Sequence, residues 1–245
     1  MSEKQYHIDL EPGDVGRYVL LPGDPGRAEK ISHYFDNPRE MAFKREFRTF
    51  TGTVDGIKVS VTSTGIGCPS AAIALEELIK VGADTFIRVG TAGSLQEEVD
   101  VGHLAIASAA IREEGTTRQY VPLSYPAVSD PDVLFALRQA AEELGYPHHL
   151  GITHCKDAFY SEEAGYSAQV EFNDTLWKTW LRANVISTSM EEAALFVIGS
   201  LRKVRVGALA TIIGQTWAGH PIVKSISPEN AILTALRAFT IMDKQ

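Results

Sequence analysis

The stretch FIRVGTAGS, residues 86–94, sets an arginine inside an apolar run and follows it with a glycine-rich tail. Phe86, Ile87 and Val89 form the kind of continuous apolar segment that a strand shows when both of its faces are covered. A charge inside such a strand is costly unless it is paired, so Arg88 needs either an internal carboxylate or an anionic ligand. Its planar fork suits a phosphate, because it donates two hydrogen bonds to adjacent oxygens. The GTAG that follows reads as a loop, which lets backbone and the Thr91 hydroxyl approach a ligand closely.

The pattern recurs on both sides. Short apolar runs lie at RYVLL (17–21), IKVSVTST (57–64), DTFIRVG (84–90), GHLAIASAAI (102–111), HLGITHC (149–155) and VRVGALATII (204–213). Between them, PSAAIALEELIKVG (69–82) opens on proline and ends at glycine, while DPDVLFALRQAAEELG (130–145) runs from Asp130 to Gly145. Both read as capped amphipathic helices. Segments 171–183, 190–203 and 228–240 are further helix candidates. Strands alternating with helices predict an α/β fold with a largely parallel or mixed sheet covered on both faces. No linker, repeat or low-complexity tract interrupts the pattern, so residues 1–245 read as a single domain.

Composition narrows the function. The 245 residues are enough for a sizeable core, and 44% hydrophobic with 22% charged residues is ordinary for a soluble globular chain. A net charge of −8 argues against nonspecific nucleic-acid binding, although arginines converging locally can still hold an anion. The start MSEKQYHIDLEPGD is too polar for a signal peptide and no apolar run suggests a membrane span, so the expectation is a cytoplasmic protein. Cys68 and Cys155 are the only cysteines, which excludes a disulfide framework and a cysteine-based zinc spacing.

Ligands in such sheets bind beyond the carboxyl ends of strands, and two further strand ends carry candidates. LPGDPGRAEKI (21–31) is a strand–turn–helix joint whose helix N-terminus, near Pro25, offers backbone N–H groups to an anion, with Arg27 adding charge. It also reads as a plain joint with an exposed arginine. In ISTSMEEAALFVIG (186–199), Ser189 and Glu192 have capping-box spacing. Glu191 is not needed for that cap, and its carboxylate can accept hydrogen bonds from the two hydroxyls of a vicinal diol such as ribose.

Together LPGDPGRAEKI, KREFRTF (44–50), STGIGCPSAAIALEEL (63–78), FIRVGTAGS, CKDAFY (155–160) and SMEEAAL (189–195) resemble the nucleoside phosphorylase-I family, its bacterial uridine phosphorylases above all. The match runs in order from about residue 6 to 215. It implies a three-layer α/β/α sandwich around a central mixed, partly barrel-like sheet. It also implies reversible phosphorolysis of a nucleoside to free base and ribose 1-phosphate, in nucleoside salvage or catabolism, with inorganic phosphate as co-substrate and no other cofactor. By position, Gly23, Arg27, Arg88 and Thr91 would bind phosphate, joined by Arg45 from a neighbouring subunit. Met190 and Glu191 would hold the ribose, and His7 would reach its 5′ hydroxyl from the partner. Phe159 would pack on the base. Some relatives hold a monovalent cation, potassium for instance, at the dimer interface, and Glu46, Ile66 and Ser70 match those positions. The family's oligomers are built from dimers that share active sites, commonly as hexamers.

The base site departs from the family. Uridine phosphorylases follow the FY pair with a glutamine and often an arginine, whereas SEEAG (161–165) supplies Glu162 and Glu163. A second base-reading position, after strand 204–213, falls on Thr216 or, with a shift, Gln215. Ser189 stands where the family has a glutamate, and Cys68 where it has a second glycine. A carboxylate accepts the N3–H of uracil but repels its flanking oxygens, each mispaired buried group costing about 1–3 kcal/mol. Glu162 and Glu163 thus either reshape the base pocket or point to solvent. The enzyme reading stands beside a second one, a nucleoside- or base-binding homologue without turnover.

Overall fold

The computed structural model describes residues 4–162, 165–216, 219, 222–223 and 225–244. Along the chain lie β1 (Tyr18–Leu21), α1 (Pro25–Ser32), β2 (Asp36–Lys44), β3 (Phe47–Val54), β4 (Ile57–Thr62), α2 (Cys68–Lys80), β5 (Thr85–Ser94) and β6 (Leu104–Glu113). They are followed by β7 (Ala127–Val128), α3 (Pro131–Leu144), β8 (His148–Lys156), α4 (Val170–Arg182), β9 (Ser187–Ser189), α5 (Glu192–Arg202), β10 (Arg205–Gln215) and α6 (Glu229–Met242). The described strands form one mixed 10-stranded sheet. Because β10 pairs with both β5 and β6, the strands β5, β10, β6, β8 and β9 close into a barrel-like ring.

Strand periodicity sorts the core into two layers. On β1, Val19 and Leu21 pack with α2 and α5, whereas Tyr18 and Leu20 pack with α1, α3 and α6. On β5, Phe86 joins the first cluster, and Ile87 and Val89 the second. Arg88, two residues on from Phe86, shares its face and so points toward α5. The period of two therefore sets which helix must answer the buried charge.

One reading of the sequence needs correction and two segments gain definition. GTAG is not a loop: β5 runs on through Ser94, pairing Thr91 with Thr211 and Ser94 with Gln215 of β10. A glycine-rich run stays extended there because a long neighbouring strand takes its backbone hydrogen bonds. KREFRTF, left without an element, is the turn and flanks of the β2–β3 hairpin. The strand end expected ahead of the helix in 186–199 is β9, three polar residues that close the ring between β5 and β8.

Candidate functional site

A cavity of about 1360 Å³ opens at the carboxyl ends of β1, β5, β8, β9 and β10, with α4 over it. Gly23, Arg27, Arg88, Thr91, Met190, Glu191, Phe159 and Thr216 all line it, as do Glu46, Ile66 and Ser70. Residues up to 193 positions apart in sequence are thus gathered by the sheet order.

At one end stand the two arginines. Arg88 is 5% exposed, and its Nη2 is ion-paired with Glu191 while Nε donates to Glu192 Oε1 at 3.3 Å. Burial alone would lower the Arg88 pKa, but Glu191 and Glu192 outweigh it and hold the guanidinium firmly charged. Its Nη1 is buried with no hydrogen-bond partner among the described residues. Burial and the charge of Arg88 both push the Arg27 pKa down, with Asp24 and Glu191 offsetting only part of the effect. Among the described residues, Arg27 Nη1 meets no more than the Val89 carbonyl, at 3.5 Å. One orphaned guanidinium nitrogen beside one electrostatically penalised arginine is a site that an anion would relieve.

The α1 terminus contributes less than its sequence suggested. The Asp24 carboxylate accepts from Gly26 N at 3.0 Å, and the Asp24 carbonyl accepts from Arg27 N at 3.0 Å. These first-turn amides are used within the turn, so the side chain of Arg27 carries the positive charge toward the cavity. Gly23 is pinned by Gly65 N donating to its carbonyl at 2.9 Å, and a methyl on Gly23 would come within 3.2 Å of the Gly65 carbonyl oxygen.

Glu191 is 3% exposed and accepts from Gly67 N at 2.8 Å. Burial, reinforced by Glu192, holds its pKa above the ordinary glutamate value in spite of Arg88. The capping box expected on Ser189 and Glu192 does not form as such. α5 begins at Glu192 with no side-chain cap, and the Ser189 hydroxyl donates to the Glu192 carboxylate, whose other oxygen takes Arg88. That carboxylate serves both partners, Oε1 accepting from Arg88 and Oε2 from the Glu191 amide at 3.3 Å.

Another part of the lining is aromatic. Phe159, Trp177 and Lys156 form it together with Asn173, Thr188 and Thr216. Lys156, on the last residue of β8, is 8% exposed and sets its Nζ 6.0 Å from the Phe159 ring centroid and 5.6 Å from that of Trp177. Behind it, His154 Nε2 pairs with Glu113 at 2.6 Å and His154 Nδ1 lies 3.3 Å from the Thr188 hydroxyl. Gly93 makes room here, since a methyl on it would fall 1.9 Å from Thr216 Oγ1. Sequence reading missed Lys156 and Trp177.

The remaining candidates are placed as follows. Gln215 does not line the cavity: its amide donates to Asp100 at 2.9 Å, so of the two alternatives Thr216 faces the space. Glu163 lies outside the described residues, and so does the side chain of Glu162, whose backbone ends the 3-10 turn Phe159–Glu162. Glu46 and Ser70 are joined at the rim by a 2.7 Å hydrogen bond, with Ile66 76% exposed beside them. Arg45 sits exposed at left-handed φ in the β2–β3 turn and, unlike its neighbour Glu46, is not among the residues lining this cavity. His7 does not line it either. Its ring Nδ1 donates to Glu77 at 2.6 Å, and the backbone amides of His7 and Ile8 donate to the same carboxylate.

Residues 17–243 match the family model described as the phosphorylase superfamily. The uridine phosphorylase of Treponema pallidum is 45% identical over 248 aligned positions, which take in 100% of this chain and 96% of that protein. The guanosine phosphorylase of Halorubrum lacusprofundi is 40% identical over 89% of this chain and 86% of its own length. The crystal structure of uridine phosphorylase from Vibrio fischeri superposes with a TM-score of 0.86 at 31% identity, covering 100% of this chain and 99% of that one.

Proposed function

The chain belongs to the phosphorylase superfamily, and from that membership we propose that the cavity is where a nucleoside meets inorganic phosphate. The reaction is phosphorolysis, giving free base and ribose 1-phosphate, which makes the protein a pentosyltransferase. One observation carries the placement: Arg88, with an unpartnered buried nitrogen, stands between penalised Arg27 and the carboxylate of Glu191.

In this reading Arg27, Arg88, Thr91 and the Gly23 turn hold the phosphate below C1′, and Glu191 takes the ribose hydroxyls with Met190 beneath the sugar. Breaking the glycosidic bond builds positive charge on the sugar and negative charge on the base. The phosphate stabilises the first and then attacks it, so catalysis is positioning and electrostatics without a covalent enzyme intermediate. Arg88 bonded to Glu191 ties the two substrates' groups into one network.

The phosphate end also supports assembly. Two arginines against two buried glutamates leave no net positive charge for a phosphate dianion. Arg45 arriving from a second copy would supply it, and His7 would cross the same way to the 5′ hydroxyl. The reading is therefore of dimers sharing sites, gathered into a hexamer that works in the cytoplasm. Glu46, Ser70 and the Ile66 carbonyl are hard oxygen donors suited to a potassium ion, which would brace the β2–β3 turn beside Arg45. No described helix is long and apolar enough to cross a membrane.

The substrate proposed is a uridine-like pyrimidine nucleoside, since the relative at 45% identity is named a uridine phosphorylase. Guanosine is the second reading, because a relative at 40% is named for it and the aromatic end shows no glutamine reader among the described residues. The test is release of ribose 1-phosphate from a nucleoside panel with and without phosphate. Phosphate-dependent release is expected. Base release indifferent to phosphate would overturn the reading, and tight nucleoside binding without turnover would favour a binding protein.

A further inference from the structure

Among the described residues, three cations line the cavity: Arg27, Arg88 and Lys156. The arginines stand with Glu191 in the part assigned to phosphate and ribose, whereas the Lys156 Nζ lies 6.0 Å from the Phe159 ring centroid and 5.6 Å from that of Trp177. A lysine with only 8% of its surface exposed is rare unless its charge serves something. Part of its surroundings is Glu113, whose pKa is held down by His154, Trp180 and Lys156 against the opposing effect of burial. That places Lys156 beside a carboxylate on one side and facing the cavity on the other.

We infer that Lys156 is a catalytic residue that stabilises the departing nucleobase, an inference that rests on the phosphorolysis reading. The C1′–N bond breaks with its electron pair passing to the base, while a phosphate oxygen forms the new bond to C1′. Negative charge spreads onto the ring nitrogens and carbonyl oxygens of the base, where the Lys156 ammonium donates a hydrogen bond. Lys156 stays protonated throughout. The proton that entered on monohydrogen phosphate ends on the base nitrogen through solvent, leaving neutral base and ribose 1-phosphate. The aromatic pair lowers the local polarity, which strengthens the interaction of the ammonium with a developing anion. The family's arginine and glutamine have no counterpart in SEEAG, so a cation supplied from the end of β8 performs their electrostatic part from a different strand position.

The experiment compares the full-length protein with Lys156→Met and Lys156→Arg on uridine and 5-fluorouridine, whose base is the better leaving group. For a purine-cleaving enzyme the pair is guanosine and 7-methylguanosine. Lys156→Met should lower kcat on the poorer leaving group about 100-fold, and on the better one about 10-fold, with KM little changed. Lys156→Arg should restore most of the turnover and the shallow leaving-group dependence. An equal loss on both substrates, or no loss, would overturn the inference and leave Lys156 in a structural role. If Lys156→Met does not melt cooperatively, Lys156→Gln makes the same comparison. Wild-type turnover without phosphate would instead overturn the phosphorolysis reading itself, so the two failures are distinct.

Discussion

Arg88 and Glu191 are bonded to each other in the interior, although each was singled out in the sequence for a different ligand. The pair is held by Glu192 on one side and by the Gly67 amide on the other. Removing Arg88 therefore strands two carboxylates that are each 3% exposed. Arg88→Ala should cost about 3–5 kcal/mol of stability in urea denaturation. Glu191→Gln in the Arg88→Ala background should cost less than it does alone, because the two changes share one interaction. Ribose 1-phosphate release should fall at least about 100-fold in Arg88→Lys, which keeps charge but not the fork.

Arg27 offers the opposite trade. Burial and the neighbouring charge of Arg88 disfavour its guanidinium where it sits. Arg27→Met keeps roughly the same volume and removes that penalty, so the unfolding free energy in urea denaturation should stay level or rise by up to about 1 kcal/mol. The KM for phosphate should rise about 10-fold or more in the same variant. Phosphate at 100 times its Kd should stabilise wild type by about 2.7 kcal/mol and Arg27→Met by clearly less at the same concentration.

Glu77 anchors the N-terminal segment through the His7 ring and two backbone amides, which together hold its pKa below the ordinary glutamate value although burial acts the other way. A depressed carboxylate pKa means stability that is present above the unfolded pKa and lost as pH falls through the folded one. Glu77→Gln should destabilise the protein by about 1.5–3 kcal/mol at neutral pH. The difference from wild type should shrink as pH drops below about 4.3, the unfolded value. A difference unchanged down to the acid transition would mean the anchor does not depend on charge.

Gly93 holds open the space that Thr216 occupies. Gly93→Ala should push Thr216 out of position and raise the nucleoside KM about 10-fold, an overpacking effect of about 1–3 kcal/mol. Thr216→Ala in the same chain removes the colliding hydroxyl and should recover part of the loss. Steady-state kinetics on the two variants and the double change decide this.

Much of the fold was legible because most of its strands are apolar on both faces and α3 is capped by Asp130 at one end and Gly145 at the other. The helix expected at 130–145 is Pro131–Leu144, and that expected at 171–183 is Val170–Arg182. β9 was legible as a strand end, but its partners were not, because Ser187, Thr188 and Ser189 have no apolar pattern and are held by ladders to β5 and β8. The β2–β3 hairpin was missed for a related reason: β2 is mostly exposed, so periodicity had little to act on. At the site, Arg88 was legible as a charge inside an apolar strand. Lys156 was not, since at the end of a strand a lysine reads as an ordinary solvated terminus.

By itself, the sequence determined that Arg88 must be buried and must be answered by negative charge, because FIRV leaves a strand no polar face. Its ordered motifs also determined the family. Only the tertiary structure decided which groups answer Arg88. Alternation along β5 turns it toward α5, and the first turn of that helix presents Glu191 and Glu192 together. Only the closed ring decided that Lys156 shares a cavity with those residues. Such neighbours come from strand order and register, which are set by the packing of the whole sheet and leave no mark on any short stretch of chain.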